Sequence, residues 1–320
     1  MKSLELFKTL GVIKNYPDLE KITKKAYQDL EEKIWRENLE SSPHGRPWFT
    51  SFHASQFPGG DKPCGRKALY TMLDIPQREP SPAYLRATGE IGKAVEYQIV
   101  YRWGKAGLTI GGSVPLWDGG HISQVKFEDA STWLTGSSDA ILDLRPDCDF
   151  VLPIDIKSKK HDVVQQMQMG QQSYEEKDYL QLQAYLYLCN LFHVDMGWDS
   201  LGLKPAQGGF ILYASRQDPS VRKEFWIPID WKVINEGIDK LKQWQENFLQ
   251  GSLPARPKEW RWTEEPCKWC QFKPQACKPD YKAKTENLME SKAIEFTQSL
   301  RKDYNFDEIK EEVLKRWQVI

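Results

Sequence analysis

Asp155 and Lys157 stand one residue apart in GSSDAILDLRPDCDFVLPIDIKSKK, and Asp139 lies upstream in the same stretch. Two strand-like runs flank Arg145–Asp149, whose proline and aspartates suit a turn. A hairpin centred on Asp147 sets Asp139 opposite Asp155, with about 5 Å between their β-carbons. Alternation along the strand then puts Lys157 on the face of Asp155, while Leu152, Ile154 and Ile156 turn the other way into a core. Two opposed carboxylates repel, and a cation between them relieves the repulsion. Oxygen ligands of this kind suit Mg²⁺ or Mn²⁺. An ammonium beside such an ion steadies the charge that builds on a phosphate under attack. Acid-x-Lys triplets alone say little, because Glu31/Lys33, Glu175/Lys177, Asp280/Lys282 and Glu290/Lys292 also fit and read as solvated charges. The hairpin and its matched Asp139 set Asp155–Lys157 apart.

Two helical segments add candidates. In TGEIGKAVEYQIVYRW, Glu96 has Gly92, Ile99 and Val100 as helical neighbours, a partly apolar setting for a glutamate. It is the candidate third carboxylate. In DYLQLQAYLYL, Gln181 and Tyr185 are four apart and share one face, with Asp178 beside them. Alone, the pair reads as part of a half-buried amphipathic helix; beside an acidic metal site, it is placed to contact a substrate phosphate or the attacking water.

A second constellation is built from thiols. Cys267, Cys270 and Cys277 read C-x2-C-x6-C inside PCKWCQFKPQACKP, a proline-flanked loop with no room for a core of its own, and Cys64 is the candidate fourth member. In a reducing compartment such cysteines are expected to be metal-bound rather than bridged. Four thiolates hold zinc in a closed tetrahedral site or an iron–sulfur cluster, and the spacing does not separate the two. Either would pin distant parts of the chain together and remove unfolded-state freedom. Cys148 and Cys189 read as packing cysteines.

The elements that must position these groups are expected around them. Helices are read at residues 1–40 (the longer one over Leu19–Leu39), Arg66–Leu73, Thr88–Trp103, Tyr174–Phe192 and Trp231–Gln250, with two more over Lys284–Ile320. An irregular connection fills Ser41–Pro63. Strands are read at Ile122–Lys126, Trp133–Leu134, Asp139–Leu144, Phe150–Lys157, Phe210–Ser215 and Glu224–Pro228. Strands between helices, some joined by tight turns, indicate an α/β domain with a mixed sheet. Three segments are expected: a helical extension over 1–50, the main domain over 51–283, and a helical tail over 284–320. With 320 residues, 40% hydrophobic and 28% charged, the chain has the composition of a soluble globular protein. MKSLELFKTLGVIKN carries no signal-peptide pattern, and no apolar run approaches the roughly 20 residues that cross a bilayer; a cytoplasmic setting is expected. The net charge of -1 does not advertise nucleic acid, so such a partner needs a local basic groove, for which Lys157, Lys159 and Lys160 are candidates. Most of the 13 tryptophans are expected in the core rather than stacked on bases.

In order, Glu96, G-x-x-D (Gly136–Asp139), D-x-K (Asp155–Lys157) and Q-x-x-x-Y (Gln181–Tyr185) resemble the PD-(D/E)XK nuclease superfamily, closest to its RecB-like branch. FHASQFPGGDKPCGRKALY, LPARP and the cysteine loop narrow the resemblance to the iron–sulfur members, among them CRISPR-associated exonucleases and AddB-type nuclease domains. It covers Phe52–Cys277. The resemblance implies a restriction-endonuclease-like fold: a mixed central sheet flanked by helices, with an iron–sulfur subdomain joining the N- and C-terminal segments. It implies that Glu96, Asp139, Asp155 and the backbone carbonyl of Ile156 bind Mg²⁺ or Mn²⁺. Lys157 would orient or activate the hydrolytic water, and Gln181 and Tyr185 would hold the DNA strand. Cys64, Cys267, Cys270 and Cys277 would ligate a 4Fe-4S cluster, with zinc as the substitute. The implied activity is a DNA exonuclease acting from ends and favouring single strands, in recombination, repair, phage or CRISPR-adaptation pathways with their partner proteins. An endonuclease with the same centre and a non-catalytic DNA-binding subunit are the alternatives. There are departures: many CRISPR-associated members carry histidine where this chain has Glu96, Ser138 replaces the motif's proline, the last cysteine gap is wider than usual, and PGGDKP lengthens the approach to Cys64.

Overall fold

The computed structural model describes residues 51–58, 64–73, 83–112, 114–115, 121–122, 125–254, 267, 270, 272, 277 and 279–303. The expected helices of residues 1–40, the approach to Cys64, most of the cysteine loop and the end of the tail lie outside these residues. The described elements run, in chain order, β1 (Phe52–His53), a 3-10 turn (Ala54–Gln56), α1 (Gly65–Met72), α2 (Ala83–Lys105), β2 (Thr109–Gly112), β3 (Val114–Pro115), β4 (His121–Ile122), β5 (Val125–Asp129), β6 (Leu134–Ser138), β7 (Ala140–Leu142) and β8 (Leu152–Lys159). Then follow α3 (His161–Gln168), α4 (Glu176–Leu191), β9 (Gly208–Ser215), β10 (Arg222–Pro228), α5 (Trp231–Leu249) and α6 (Pro279–Asp303).

Five strands form the main sheet in the order β10-β9-β8-β7-β2. β8 and β9 are parallel, and the other pairings are antiparallel. A parallel pair needs a crossover, and α3 and α4 supply it. The protein is therefore a mixed α/β structure. β9, GGFILYAS, is buried along almost its whole length, as its near-continuous apolar run requires of an inner strand.

The β7–β8 hairpin has the register that a turn centred on Asp147 predicts. Ala140 pairs with Ile154, Ile141 with Pro153 and Leu142 with Leu152; Asp139 lies just beyond the last pair, in the bend before β7. Leu152, Ile154 and Ile156 join Val95, Ile99 and Val100 of α2 in one apolar cluster. Each such side chain, fully buried, contributes about 1.5–3 kcal/mol. The opposite face of β8 and β9 meets α4, where Ile211 and Tyr213 pack in a larger core with Leu182, Tyr185 and Leu186.

α4 differs from its sequence reading. It is buried on most sides, through Leu182, Gln183, Ala184, Tyr185, Leu186, Leu188 and Cys189. The reason is a second sheet, ordered β1-β6-β5, which faces it from the side away from β8 and β9. Gly136 of β6 makes the close approach possible, because a β-carbon there would lie 3.0 Å from the Tyr185 ring and 3.1 Å from Leu188. The parallel β1–β6 pairing, β2, β3 and α3 were not expected from the sequence. The tail helix α6 begins at Pro279 rather than Lys284 and is described to Asp303; the remainder of the expected two-helix tail lies outside the described residues. Among the described residues no helix is long and apolar enough to cross a membrane.

Candidate active site

β8 carries the centre of the site. Asp155 and Lys157 point to the α4 side, and Asp155 is 1% exposed. The Lys157 Nζ donates to Asp155 Oδ1 at 2.9 Å and to Gln181 Oε1 at 3.0 Å. The Gln181 amide in turn donates to the Tyr185 hydroxyl at 2.7 Å. Asp139 sits at the bend between β6 and β7 and accepts the Ile156 N–H on Oδ2 at 2.6 Å. The buried Ser138 hydroxyl fixes that bend by donating to the carbonyls of Ala140 and Ile154 at 2.9 and 3.2 Å. Ser138 thus ties β6 to β8.

Electrostatics show which groups share this space. Burial pushes the Asp139 carboxyl well above its usual range, and the charges of Asp155 and Glu96 push it further. Burial raises Asp155 to about 6 against the pull of Lys157, with Asp178 and Glu96 adding to the rise. For Lys157, burial works downward, but the Asp155 carboxylate outweighs it and holds the ammonium above its ordinary value. The Tyr185 phenol is raised by burial, by Asp155 and by Asp139, so it stays a neutral donor. Glu96, half-buried on α2, acts on both aspartates and on Tyr185 although it comes from the other side of the sheet. Gly92, one turn earlier, allows this approach: a β-carbon there would stand 2.7 Å from Ser158 Oγ of β8.

The predicted residues Glu96, Asp139, Asp155, Lys157, Gln181 and Tyr185 therefore lie in one neighbourhood. Ile156 turns its side chain into the α2 cluster. The sequence reading missed one link. Asp178, 2% exposed, accepts from Tyr213 Oη at 2.7 Å, and that hydroxyl accepts the Glu175 N–H at 3.0 Å. Its charge reaches Asp155 and Lys157. A buried acid at the start of a helix, one turn before Gln181, was the available signal. The expected lysine groove is narrower than its sequence: Lys157 is committed to Asp155 and Gln181, and Lys159 pairs with Glu175 over the Tyr213 ring.

These side chains suit a hard divalent cation. The donor set is all oxygen, and Asp155 Oδ2 is buried without a hydrogen-bond partner. That oxygen lies 2.9 Å from Lys157 Nζ, close enough for charge attraction but off the hydrogen-bond direction, so a lone pair stays open. Among the described residues no three His, Cys, Asp or Glu side chains stand at the spacing of a closed metal cage; Asp139 is turned to Ile156 N–H and Asp155 to Lys157.

The four cysteines of the second constellation also come together. Burial lifts the Cys64 thiol to about 11, and the proximity of Cys270, Cys277 and Cys267 adds to the rise against the Lys67 N–H. All four are free thiols, and Cys270 N–H donates to the Cys267 carbonyl at 3.2 Å. Burial raises the Cys277 thiol too, opposed chiefly by the Arg66 guanidinium. Arg66 Nε also donates to the Pro254 carbonyl at 2.6 Å, joining α1 to the segment that leads into the loop. The loop does reach a core: Phe272 is 2% exposed and its ring centre lies 5.3 Å from that of Tyr70. The four thiols are near enough to act on one another's charge, but among the described residues they do not stand at the spacing of a metal cage. Cys189 lies in the main core as expected, and Cys148 in the turn is half-buried.

No family model matches the sequence, and no curated protein matches it. Among solved structures the chain is similar to an alkaline exonuclease, LHK-Exo, from Laribacter hongkongensis, at 14% identity over 62% of this chain and 90% of that one, with a TM-score of 0.38. It is similar to SSO0001 at 17% identity over 79% of this chain and 97% of that one, TM-score 0.39. LHK-Exo in complex with dAMP matches at 12% identity over 62% and 88% of the two chains, TM-score 0.39. Likenesses this loose decide neither fold family nor activity; function has to be argued from the side chains of this chain.

Proposed function

We propose that this chain is a metal-dependent DNA nuclease, acting as an exonuclease from free ends and favouring single strands. One observation carries the nuclease part: the buried Asp155 Oδ2, without a hydrogen-bond partner, lies beside the Lys157 ammonium, and the Asp155 charge acts on the buried Asp139. Glu96, Asp139 and Asp155, with the Ile156 carbonyl, would hold Mg²⁺ or Mn²⁺. An ion held there would supply Lewis-acid polarisation of a phosphodiester and would make water acidic near neutral pH. Lys157 keeps a fixed positive charge against the charge that grows on the phosphate. Gln181 fixes that ammonium from the α4 side and is itself fixed by Tyr185, so little reorganisation is needed when the charge appears. The preference for ends and single strands comes from the resemblance to the RecB-like branch. An endonuclease would share the same centre. With Mg²⁺ or Mn²⁺, end-labelled linear DNA is expected to be degraded while covalently closed circles persist, and chelator is expected to stop the reaction. Cutting of circles at the linear rate would shift the assignment to an endonuclease; no cutting of any DNA would remove it in favour of a non-catalytic DNA-binding subunit.

For the cysteines the proposal is a 4Fe-4S cluster on Cys64, Cys267, Cys270 and Cys277, a cluster type held by thiolates. It would act as a staple between α1 and the far segment. Anaerobically purified protein is expected to be brown and to carry iron and sulfide. Replacing Cys64 with alanine is expected to bleach it and lower its melting temperature. Colourless wild-type protein with stoichiometric zinc would assign the site to zinc instead.

A further inference from the structure

Away from the carboxylates, α2 and the β9–β10 turn enclose a cleft of about 250 Å³ that Glu96, Asp139 and Asp155 do not line. α2 contributes Gln98, Ile99, Arg102 and Trp103, and the strand side contributes Ser220 and Arg222. Gln98 and Arg102 are one helical turn apart and project from the same side. Both are exposed, and neither has a hydrogen-bond or ion-pair partner among the described residues. Arg222 is 45% exposed, with Nε 3.4 Å from Glu224; an exposed pair of that kind contributes little and does not hold the guanidinium. Asp218, the other acid of the turn, accepts the Ser220 N–H and hydroxyl at 2.9 and 2.6 Å, so its charge is engaged within its own loop. The floor is apolar, because Ile99 is buried and Trp103 packs half-buried against the α2 cluster.

An apolar slot with an indole in its wall and two guanidinium groups at its rim matches a phosphate carrying a planar base. We propose that this cleft binds a nucleotide of the single strand, its phosphate between Arg102 and Arg222 and its base against Trp103 and Ile99. The proposal rests on the DNA-nuclease reading and deepens it. Arg222 pairs with Ala214, and Ala214 with Ser158. Arg222 therefore lies two strands across and three residues along from Asp155, about 14 Å in the plane of the sheet, and on the sheet's α2 face, whereas Lys157 turns to Gln181 on the α4 face. A strand that runs from there to the carboxylates has to round the edge of the sheet. The cleft is thus a holding site, not a reacting one, and in a chain of net charge -1 it supplies locally the cations that backbone binding needs.

The test compares wild type with the Arg102→Gln/Arg222→Gln double variant by fluorescence anisotropy in chelator, using one long single-stranded oligonucleotide and one too short to span the distance. Cleavage of both is then followed with Mn²⁺. The variant is expected to bind the long strand roughly tenfold more weakly at low salt. Its slope of log affinity against log salt is expected to fall by about 0.7, for the one phosphate no longer neutralised. kcat on the short strand stays unchanged. The Arg102→Lys/Arg222→Lys variant is expected to keep the wild-type slope, which separates missing charge from a disturbed fold. Equal affinity and slope in wild type and the glutamine variant, with wild type binding and cutting both strands, would overturn the cleft alone. Wild type that neither binds nor cuts either strand would overturn the nuclease reading itself.

Discussion

Lys157→Ala is expected to slow DNA cleavage by about 10²–10³-fold while leaving the protein folded. The ammonium donates to Asp155 and Gln181 and is held above its ordinary pKa by the carboxylate despite the burial that opposes it. A preorganised donor of this kind, removed from a transition state that gathers negative charge, costs about 10²–10³ in rate, or about 3–4 kcal/mol. The fold survives because the stranded Asp155 carboxyl can take up a proton; burial already places its pKa at about 6. Asp155→Ala is expected to be equally impaired but less stable, since it leaves a partly buried ammonium without its carboxylate. Lys157→Arg is not expected to rescue cleavage, because a planar fork cannot occupy the point position between Asp155 and Gln181. Single-turnover rates at saturating Mg²⁺, beside thermal melts of each variant, check this. A folded Lys157→Ala protein that cuts at the wild-type rate would remove Lys157 from the chemistry.

Much of this centre was legible because it is local. A turn rich in proline and aspartate fixed the hairpin register, whose last pair, Ala140 with Ile154, stands next to Asp139 and Asp155. Alternation along one strand then separated the Lys157 face from the Ile154 and Ile156 face. What the sequence hid depends on partners far along the chain. β1 is only two residues long and pairs in parallel with β6, so no periodicity announces it. α4 reads as amphipathic because Gln183 and Asp178 interrupt its apolar residues, yet both are buried: Asp178 meets Tyr213, and Gln183 donates to the Pro228 carbonyl. Phe272 in the cysteine loop likewise looks like a stray aromatic until Tyr70 is placed beside it. Glu96 stood out by its partly apolar helical neighbours, but the approach that brings it to the aspartates did not. Nothing in its own helix reveals that Gly92 lets α2 approach β8 at Ser158.

Asp139→Asn is expected to make the protein more stable in chelator and catalytically dead. The Asp139 carboxyl is raised first by burial and then by Asp155 and Glu96, so its ionised form is a burden to the fold at neutral pH. Two charges about 5 Å apart at an effective dielectric of about 20 repel by about 3 kcal/mol. Asparagine is isosteric and its side-chain oxygen can still accept the Ile156 N–H that Asp139 Oδ2 accepts at 2.6 Å. A gain of about 1–3 kcal/mol corresponds to a melting temperature higher by roughly 5 °C for a chain of this size. The pH dependence carries the sign. A carboxyl whose pKa rises on folding binds more protons in the native state, so its stabilising share is complete below the unfolded value and is lost as pH climbs through the folded one. For Asp155 that window runs from 3.8 to about 6. The advantage of Asp139→Asn is therefore expected at pH 8 and absent near pH 4, where the native carboxyls are themselves neutral. Adding Mn²⁺ is expected to stabilise wild type by mass action and to narrow the gap, because the variant lacks one ligand. Asp155→Asn is expected to show no such gain, since its carboxylate is the counterion of Lys157. If Asp139→Asn melts below wild type in chelator at pH 8, the two aspartates are not a repelling pair, and the case for a cation between them fails.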